Sequence, residues 1–139
     1  MIQFENEYLI CSLDESLPVL KHRWKKEPPG NIFRETLIQV QQKYMELSGK
    51  YANLAWLADT QLLGEVDGET ERWFSEVWDD LLFNEAKVKI HAVILGEDLF
   101  EEYPMEKFKM DAQEKFNLLG VQLEVFTDET DAYDWIRTR

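Results

Sequence analysis

Cysteine is nearly absent from this chain of 139 residues, and so is any glycine-rich motif. The single cysteine, Cys11, excludes an internal disulfide and a multi-cysteine zinc site. The glycines are scattered and form neither a G-x-G-x-x-G motif nor a G-x-x-x-x-G-K-[ST] motif. No G-x-S-x-G motif for a catalytic serine is present either. We therefore predict no nucleotide cofactor, no resident metal and no catalytic residues.

Basic residues and long apolar runs are also scarce. The chain has 15 Lys and Arg against 28 Asp and Glu, which gives a formal net charge of −13 at pH 7. Such a charge repels nucleic-acid phosphates and anionic membranes. No apolar run approaches the roughly 20 residues of a membrane span, and the N-terminal residues do not resemble a secretory signal. We expect a cytoplasmic protein with no nucleic-acid partner and no membrane span.

The composition predicts one folded domain over residues 1–139. Hydrophobic residues make up 45% of the chain and charged residues 31%. These proportions are typical of globular proteins and not of disordered ones. A chain of this length is long enough for one hydrophobic core and too short for two ordinary domains.

The hydrophobic pattern predicts strands and helices in the order ββαβαβαβα. Strands are expected at 2–12, 18–24, 52–59, 88–95 and 121–126, and the first two should pair antiparallel because their connection is short. Helical spacing of apolar residues appears at 31–47, after Asp67, from Pro104 to Leu119, and after Thr127 or Asp128. Alternation of strands and helices after residue 50 demands parallel strands. The predicted fold is therefore α/β, with a mixed, mostly parallel sheet of about five strands and about four helices.

Acidic and hydroxyl residues follow the predicted parallel strands. They are Asp59 and Thr60, Glu97 and Asp98, and Asp128. Open parallel sheets bind ligands outside the carboxyl ends of their strands, so these residues are candidates for a ligand or partner surface. They could also hold a hard cation. The structural alternative is that Asp128 caps a helix and the other residues are simply solvated.

Tryptophan is abundant in the second half of the chain. Trp73 and Trp78 share one predicted helix, and Asp67 is placed to cap that helix. The structural interpretation is that these rings are core. The functional interpretation is that they line an apolar pocket or a contact face, including a homodimer face.

The two histidines and Cys11 favour structural roles. We expect Cys11 to be a small buried apolar residue within a strand. His22 is expected to face solvent, and His91 to be packed and hydrogen-bonded among apolar residues. A metal shared by the two histidines would need a carboxylate ligand, and no spacing motif supports one.

The ordered set of motifs resembles the STAS domain, and more closely the bacterial SpoIIAA-like (STAS/SEC14-like) proteins. The residues that carry this resemblance are Trp24, Phe33-Arg34-Glu35, Trp56 to Asp59, Trp73-Phe74 with Trp78, Ile90 to Leu95, and Phe126 to Ile136. The resemblance implies partner binding without catalysis. STAS antagonists carry a phosphorylated serine where this chain has Asp67-Gly68, so Thr70 is only a remote substitute for it.

Three functions remain open from the sequence. The first is a non-catalytic regulatory or protein-interaction module, with a protein partner or a second copy of the chain. The second is a module that binds a small molecule or lipid in a tryptophan-lined pocket, as the SEC14 side of the resemblance implies. The third is an enzyme that holds a metal at the acidic strand ends.

Overall fold

One six-stranded sheet organises the fold. The computed structural model describes residues 1–64, 68–96, 114 and 120–139, and the statements below concern those residues. The strands are β1 (Ile2–Glu5), β2 (Leu9–Asp14), β3 (Val19–Trp24), β4 (Ala55–Asp59), β5 (Ile90–Ile94) and β6 (Gln122–Phe126), and they lie in sequence order across the sheet. β1, β2 and β3 pair antiparallel, and β3 to β6 pair parallel. The prediction of an α/β fold with a mixed sheet is confirmed.

Helices cover both faces of this sheet. They are α1 (Gly30–Ser48), α2 (Gly68–Trp73) and α3 (Glu129–Arg137), and α2 continues into two π-helical segments (Phe74–Trp78 and Asp80–Glu85). The helix predicted from Pro104 lies largely outside the described residues. Within the described part of the chain, no helix has the length and apolar character needed to cross a membrane.

The first predicted strand is in fact two strands, so the sheet has six strands where the sequence predicts about five. The cause is Asn6, whose side-chain oxygen accepts hydrogen bonds from the backbone N–H groups of Tyr8 and Leu9, both at 2.8 Å. The Asn6 N–H also donates to the Leu9 carbonyl at 2.9 Å. Asparagine commonly closes tight turns in this way. The element order therefore begins with three strands, and β1 becomes the edge strand.

The two faces of the sheet carry different side chains because residues alternate along each strand. We call one the aromatic face: it is covered by α1 and the π-helical segments, and its strand residues include Leu9, Cys11, Leu20, His22, Trp24, Trp56 and His91. We call the other the aliphatic face: it includes Val19, Ala55, Leu57, Ile90, Ala92 and Ile94, and Ala132 and Ile136 of α3 cover it.

The central strand β4 is buried along its whole length, as the sequence predicts. All five of its residues are buried, since it pairs parallel on both sides and has helices on both faces. It begins three residues later than predicted, at Ala55, after Asn53 adopts a left-handed backbone conformation with φ of 59°. β4 ends at Asp59, so the Asp59 carboxyl group lies at the carboxyl end of the parallel strands.

Candidate functional site

The carboxyl ends of three parallel strands meet at one edge of the sheet. β4 ends at Asp59, β5 at Ile94 and β6 at Phe126, and these three residues occupy matching positions in the strand register. We call the loops that follow these strands the carboxyl edge. The candidate residues Thr60 and Asp128 lie here, as the sequence predicts, whereas Glu97 and Asp98 lie outside the described residues.

Asp59 is turned inward and does not reach solvent. Its side chain is 1% exposed, and its Oδ1 accepts a hydrogen bond from the Gln61 N–H at 3.1 Å. Burial raises the pKa of the Asp59 carboxyl, an effect that the charges of Lys21 and Arg23 oppose. Asp59 therefore stabilises the turn after β4 and cannot contact a partner directly in this conformation.

A lysine next to Asp59 connects the sheet to α3. The Lys21 ammonium forms an ion pair with Glu129 at 2.5 Å and lies 6.0 Å from the centre of the Tyr133 ring. Burial and the negative charges of Glu129, Asp14 and Asp59 raise the pKa of Tyr133 to about 12, so its hydroxyl stays protonated at neutral pH. This polar group fixes α3 against the sheet immediately below the carboxyl edge.

Hydrogen bonds tie the loops of the carboxyl edge to one another. Thr60 donates to the Ile94 carbonyl twice, from Oγ1 at 2.7 Å and from its backbone N–H at 2.9 Å. The Gln61 side-chain amide donates to the Thr127 carbonyl at 3.3 Å. A Cβ added to Gly96 would lie 2.9 Å from the Gln61 carbonyl oxygen, so the loops after β4 and β5 touch. The edge is therefore preformed.

An exposed leucine projects from this edge. The Leu63 N–H donates to the Thr60 carbonyl at 3.2 Å and closes a turn, in which Leu63 is buried and Leu62 is 60% exposed. Gly64 follows in a left-handed conformation with φ of 79°, packed against the Glu27 side chain. Sequence reasoning missed Leu62. The only signal in the sequence was a pair of adjacent leucines in a loop.

Asp128 caps α3 at the same edge. It has an extended backbone, and its Oδ1 accepts a hydrogen bond from the Asp131 N–H at 3.1 Å. This is the arrangement of an N-cap residue, and it confirms the structural alternative stated for Asp128. The side chain remains exposed. We call Gln61, Leu62 and Asp128 together the edge surface, because all three are exposed on loops of the carboxyl edge.

The two candidate tryptophans lie on the helical layer of the aromatic face. Their rings stack at 5.4 Å with an angle of 23° between their planes. Trp78 is buried and its ring lies 5.8 Å from that of Trp56, whereas Trp73 is half-buried. Trp78 therefore belongs to the core, and Trp73 packs on its outer side. Asp67, predicted to cap this helix, lies outside the described residues.

His22 is buried, so the prediction of a solvent-facing His22 is wrong. It is 2% exposed and shares the aromatic face with Leu20 and Trp24, two residues before and after it in β3. This alternation was readable in the sequence. Burial lowers the pKa of His22 to about 3 and that of His91 to about 4, so both are neutral at pH 7.

Cys11 and Thr70 are both enclosed. Cys11 is fully buried, as predicted, and burial raises the pKa of its thiol to about 12, which keeps it protonated and unreactive. The Thr70 hydroxyl, 1% exposed, accepts a hydrogen bond from the Arg34 guanidinium at 3.1 Å. Thr70 is therefore shielded from a modifying enzyme in this conformation.

Among residues 1–64, 68–96, 114 and 120–139, no group of three or more His, Cys, Asp or Glu side chains is arranged to hold a metal ion. Comparison with protein-family models, with curated proteins and with solved structures gave no match.

Proposed function

We propose that this chain is a non-catalytic regulatory or protein-interaction module of the STAS/SpoIIAA-like type, and that it docks a protein partner on the edge surface. The observation that carries the proposal is the exposure of Leu62 at the tip of a turn whose neighbours are fixed. An exposed apolar side chain on a preformed polar rim resembles the centre of a protein interface, where an apolar anchor is ringed by polar groups.

The rigidity of the carboxyl edge supports a docking function. Thr60 and Gln61 bond the loop after β4 to the end of β5 and to the loop after β6. A loop that is already ordered loses little conformational entropy when it binds, so more of the contact energy is available for affinity. Buried Leu63 anchors the turn and leaves Leu62 free to contact a partner.

The charge of the chain supports a partner with a basic surface. The formal net charge is −13, and Asp128 places an exposed carboxylate on the edge surface itself. A positive patch on the partner would be attracted over a distance of about one Debye length, roughly 8–10 Å at physiological salt. Binding should therefore weaken as the salt concentration rises.

The proposal is tested by comparing partner capture by three forms of the tagged chain. Leu62→Glu places a charge at the centre of the edge surface. Met45→Glu is the matched control, because Met45 is an exposed apolar residue of α1, 43% exposed, and lies outside the edge surface. We expect one protein to be captured stoichiometrically by the unmodified chain and by Met45→Glu, and to be lost with Leu62→Glu.

Binding measurements with the purified partner then give the size of the effect of Leu62→Glu on affinity. Truncation of an anchor residue at an interface costs more than about 1 kcal/mol, so Leu62→Glu should raise the dissociation constant by about fivefold or more. Equal affinity of all three forms would place the interface elsewhere and would contradict the proposal.

A second candidate function is the binding of an apolar small molecule or lipid beside Trp73. The observation that favours it is the half-buried Trp73 ring stacked on Trp78, with Val77 on the same stretch 41% exposed. Titration of the chain with fatty acids would then change the tryptophan emission, and Trp73→Leu would abolish the change. Emission that stays constant across the panel would remove this candidate.

A further inference from the structure

Two neutral histidines lie inside the aromatic face, on either side of Trp56. The His22 ring lies 5.2 Å from the Trp56 ring and 6.4 Å from the Trp24 ring, edge to face in both cases. His91 lies 6.4 Å from the Trp56 ring and 6.0 Å from Phe83. His22 Nδ1 is buried, and no described residue forms a hydrogen bond with it. A buried polar atom in this state costs stability, so its retention in the core calls for an explanation.

The groups that surround His22 offer no negative charge among the described residues. From β2 comes Cys11, directly opposite His22, with a protonated thiol. From β5 comes His91, whose positive form would repel a charged His22. From α1 come the Tyr44 hydroxyl, bonded to the Leu54 carbonyl, and the Gln41 amide, bonded to the Leu81 carbonyl.

Further described side chains of the aromatic face are apolar or cationic. β4 contributes Trp56 and Ala58, and the π-helical segments contribute Trp78, Leu82 and Phe83. The ammonium of Lys43 on α1 acts on Cys11 as a positive charge and pairs with Glu46 on the exposed side. A proton added to His22 would therefore create a buried cation without a compensating carboxylate, which is strongly unfavourable.

We propose that this histidine pair makes the closed packing of α1 on the aromatic face conditional on pH, so that acidification opens that face. A protonated His22 requires water, and water reaches it only when the layer formed by α1 and the π-helical segments separates from the sheet. The ring faces of Trp24 and Trp56, which the layer covers at neutral pH, become exposed in the same step. The aliphatic face carries no histidine and keeps its packing until the whole chain unfolds.

The sign of the effect follows from the states that bind the proton. An exposed histidine in the open chain titrates near pH 6.5, whereas His22 in the closed chain has a pKa of about 3. The open form therefore binds more protons, and stability is lost progressively as the pH falls from about 6.5 toward 3.

Chemical unfolding followed by tryptophan emission at pH 7 and pH 5 tests the proposal. When the pH is lowered from 7 to 5, protonation of His22 alone should raise the unfolding equilibrium constant by roughly 25-fold. The other titratable groups add their own changes to this factor. The rise in His22→Gln should therefore be roughly 25-fold smaller than in the unmodified chain. Tyr44→Phe is the matched control: it removes a buried hydrogen bond of the same face and should show the full rise. An equal rise in His22→Gln and the unmodified chain would overturn the proposal.

A second measurement needs no variant. The chain has only two histidines, so its imidazole proton resonances are simple to follow by NMR. We expect neither resonance of the folded form to titrate above pH 5, and protonated signals to appear only together with those of the open form. After correction for the intrinsic pH dependence of amide exchange, the protection of backbone amides should fall in α1 at a higher pH than in α3. An imidazole that titrates near pH 6.5 in the closed form, or exchange that accelerates equally in both helices, would overturn the proposal.

Discussion

The polar groups on the two faces of the sheet differ in charge and in exposure. On the aromatic face, two histidines are neutral and enclosed by large rings, with Trp24 and Trp56 no more than 2% exposed. On the aliphatic face, Lys21 and Glu129 are charged, paired and near solvent. The first face stabilises the molecule by burial and depends on the histidines staying neutral. The second uses smaller side chains and places its charges beside the carboxyl edge, where a partner would approach.

The largest expected effect contrasts the cores of the two faces. Trp56→Ala should lower the free energy of unfolding by about 4 kcal/mol, because Trp56 contacts the rings of His22, Tyr44 and Trp78 and the cavity left behind cannot collapse. Leu57→Ala, one residue along β4 on the other face, should cost about 3 kcal/mol. Urea unfolding at pH 7 measures both. A larger loss of stability for Leu57→Ala than for Trp56→Ala would mean that the aliphatic face contributes more to stability at this point than the aromatic face.

A smaller effect concerns the helix that covers the aliphatic face. Asp128→Ala removes the N-cap of α3 and should cost about 1 kcal/mol of stability. Asp134→Ala is the matched control, since Asp134 lies within the same helix and its contact among the described residues is an exposed ion pair with Arg137. Thermal unfolding of the two variants measures the difference. If both variants melt at the same temperature, the cap does not stabilise α3.

The smallest expected effect concerns Asp59. Because its pKa is raised, its charged form is disfavoured in the folded chain, and Asp59→Asn should change stability by less than about 1 kcal/mol at pH 7, toward greater stability. Asparagine keeps an oxygen to accept the Gln61 N–H. A carboxyl group with a raised pKa stabilises the folded chain in acid, and this contribution is lost as the pH rises. The stability advantage of Asp59→Asn over the unmodified chain should therefore be largest at pH 7 and should shrink as the pH is lowered to 4. A marked loss of stability in Asp59→Asn at pH 7 would mean that Lys21 and Arg23 depend on this charge.

Much of this architecture was readable from residue spacing. The apolar residues Phe33, Leu37, Val40, Tyr44 and Leu47 predict a helix at 31–47, and α1 spans Gly30–Ser48 with all five buried. The apolar run before Asp59 predicts a central strand, which is β4. Thr127 or Asp128 is predicted to cap the last helix, and Asp128 is the residue that caps α3. These features follow from local periodicity and capping, which a single sequence displays directly.

The features that sequence reasoning missed depend on contacts between distant residues or on a polar residue in an apolar position. The hairpin at Asn6 depends on a side chain bonding to its own turn, and so the strand at 2–12 was not divided. The polarity of histidine favours a solvated His22, whereas its alternation with the buried Leu20 and Trp24 places it inward. The sequence leaves Asp59 as either a ligand-surface candidate or a solvated carboxylate, and the structure shows instead that it is buried and accepts a hydrogen bond from Gln61.

Leu62 illustrates the same point at the candidate site. Its exposure arises because Leu63 takes the buried position of the turn, and Gly64 follows in a left-handed conformation against the Glu27 side chain. Neither fact is encoded in hydrophobic periodicity.

Native mass spectrometry of the gently purified chain tests the proposed function most directly. We predict a complex whose mass equals that of the chain plus a protein partner, and which dissociates when Leu62→Glu replaces the unmodified chain. The chain should carry no small molecule. A reproducible additional mass of small-molecule size, lost on denaturation and retained in Leu62→Glu, would contradict the interaction account and would identify the chain as a ligand-binding module.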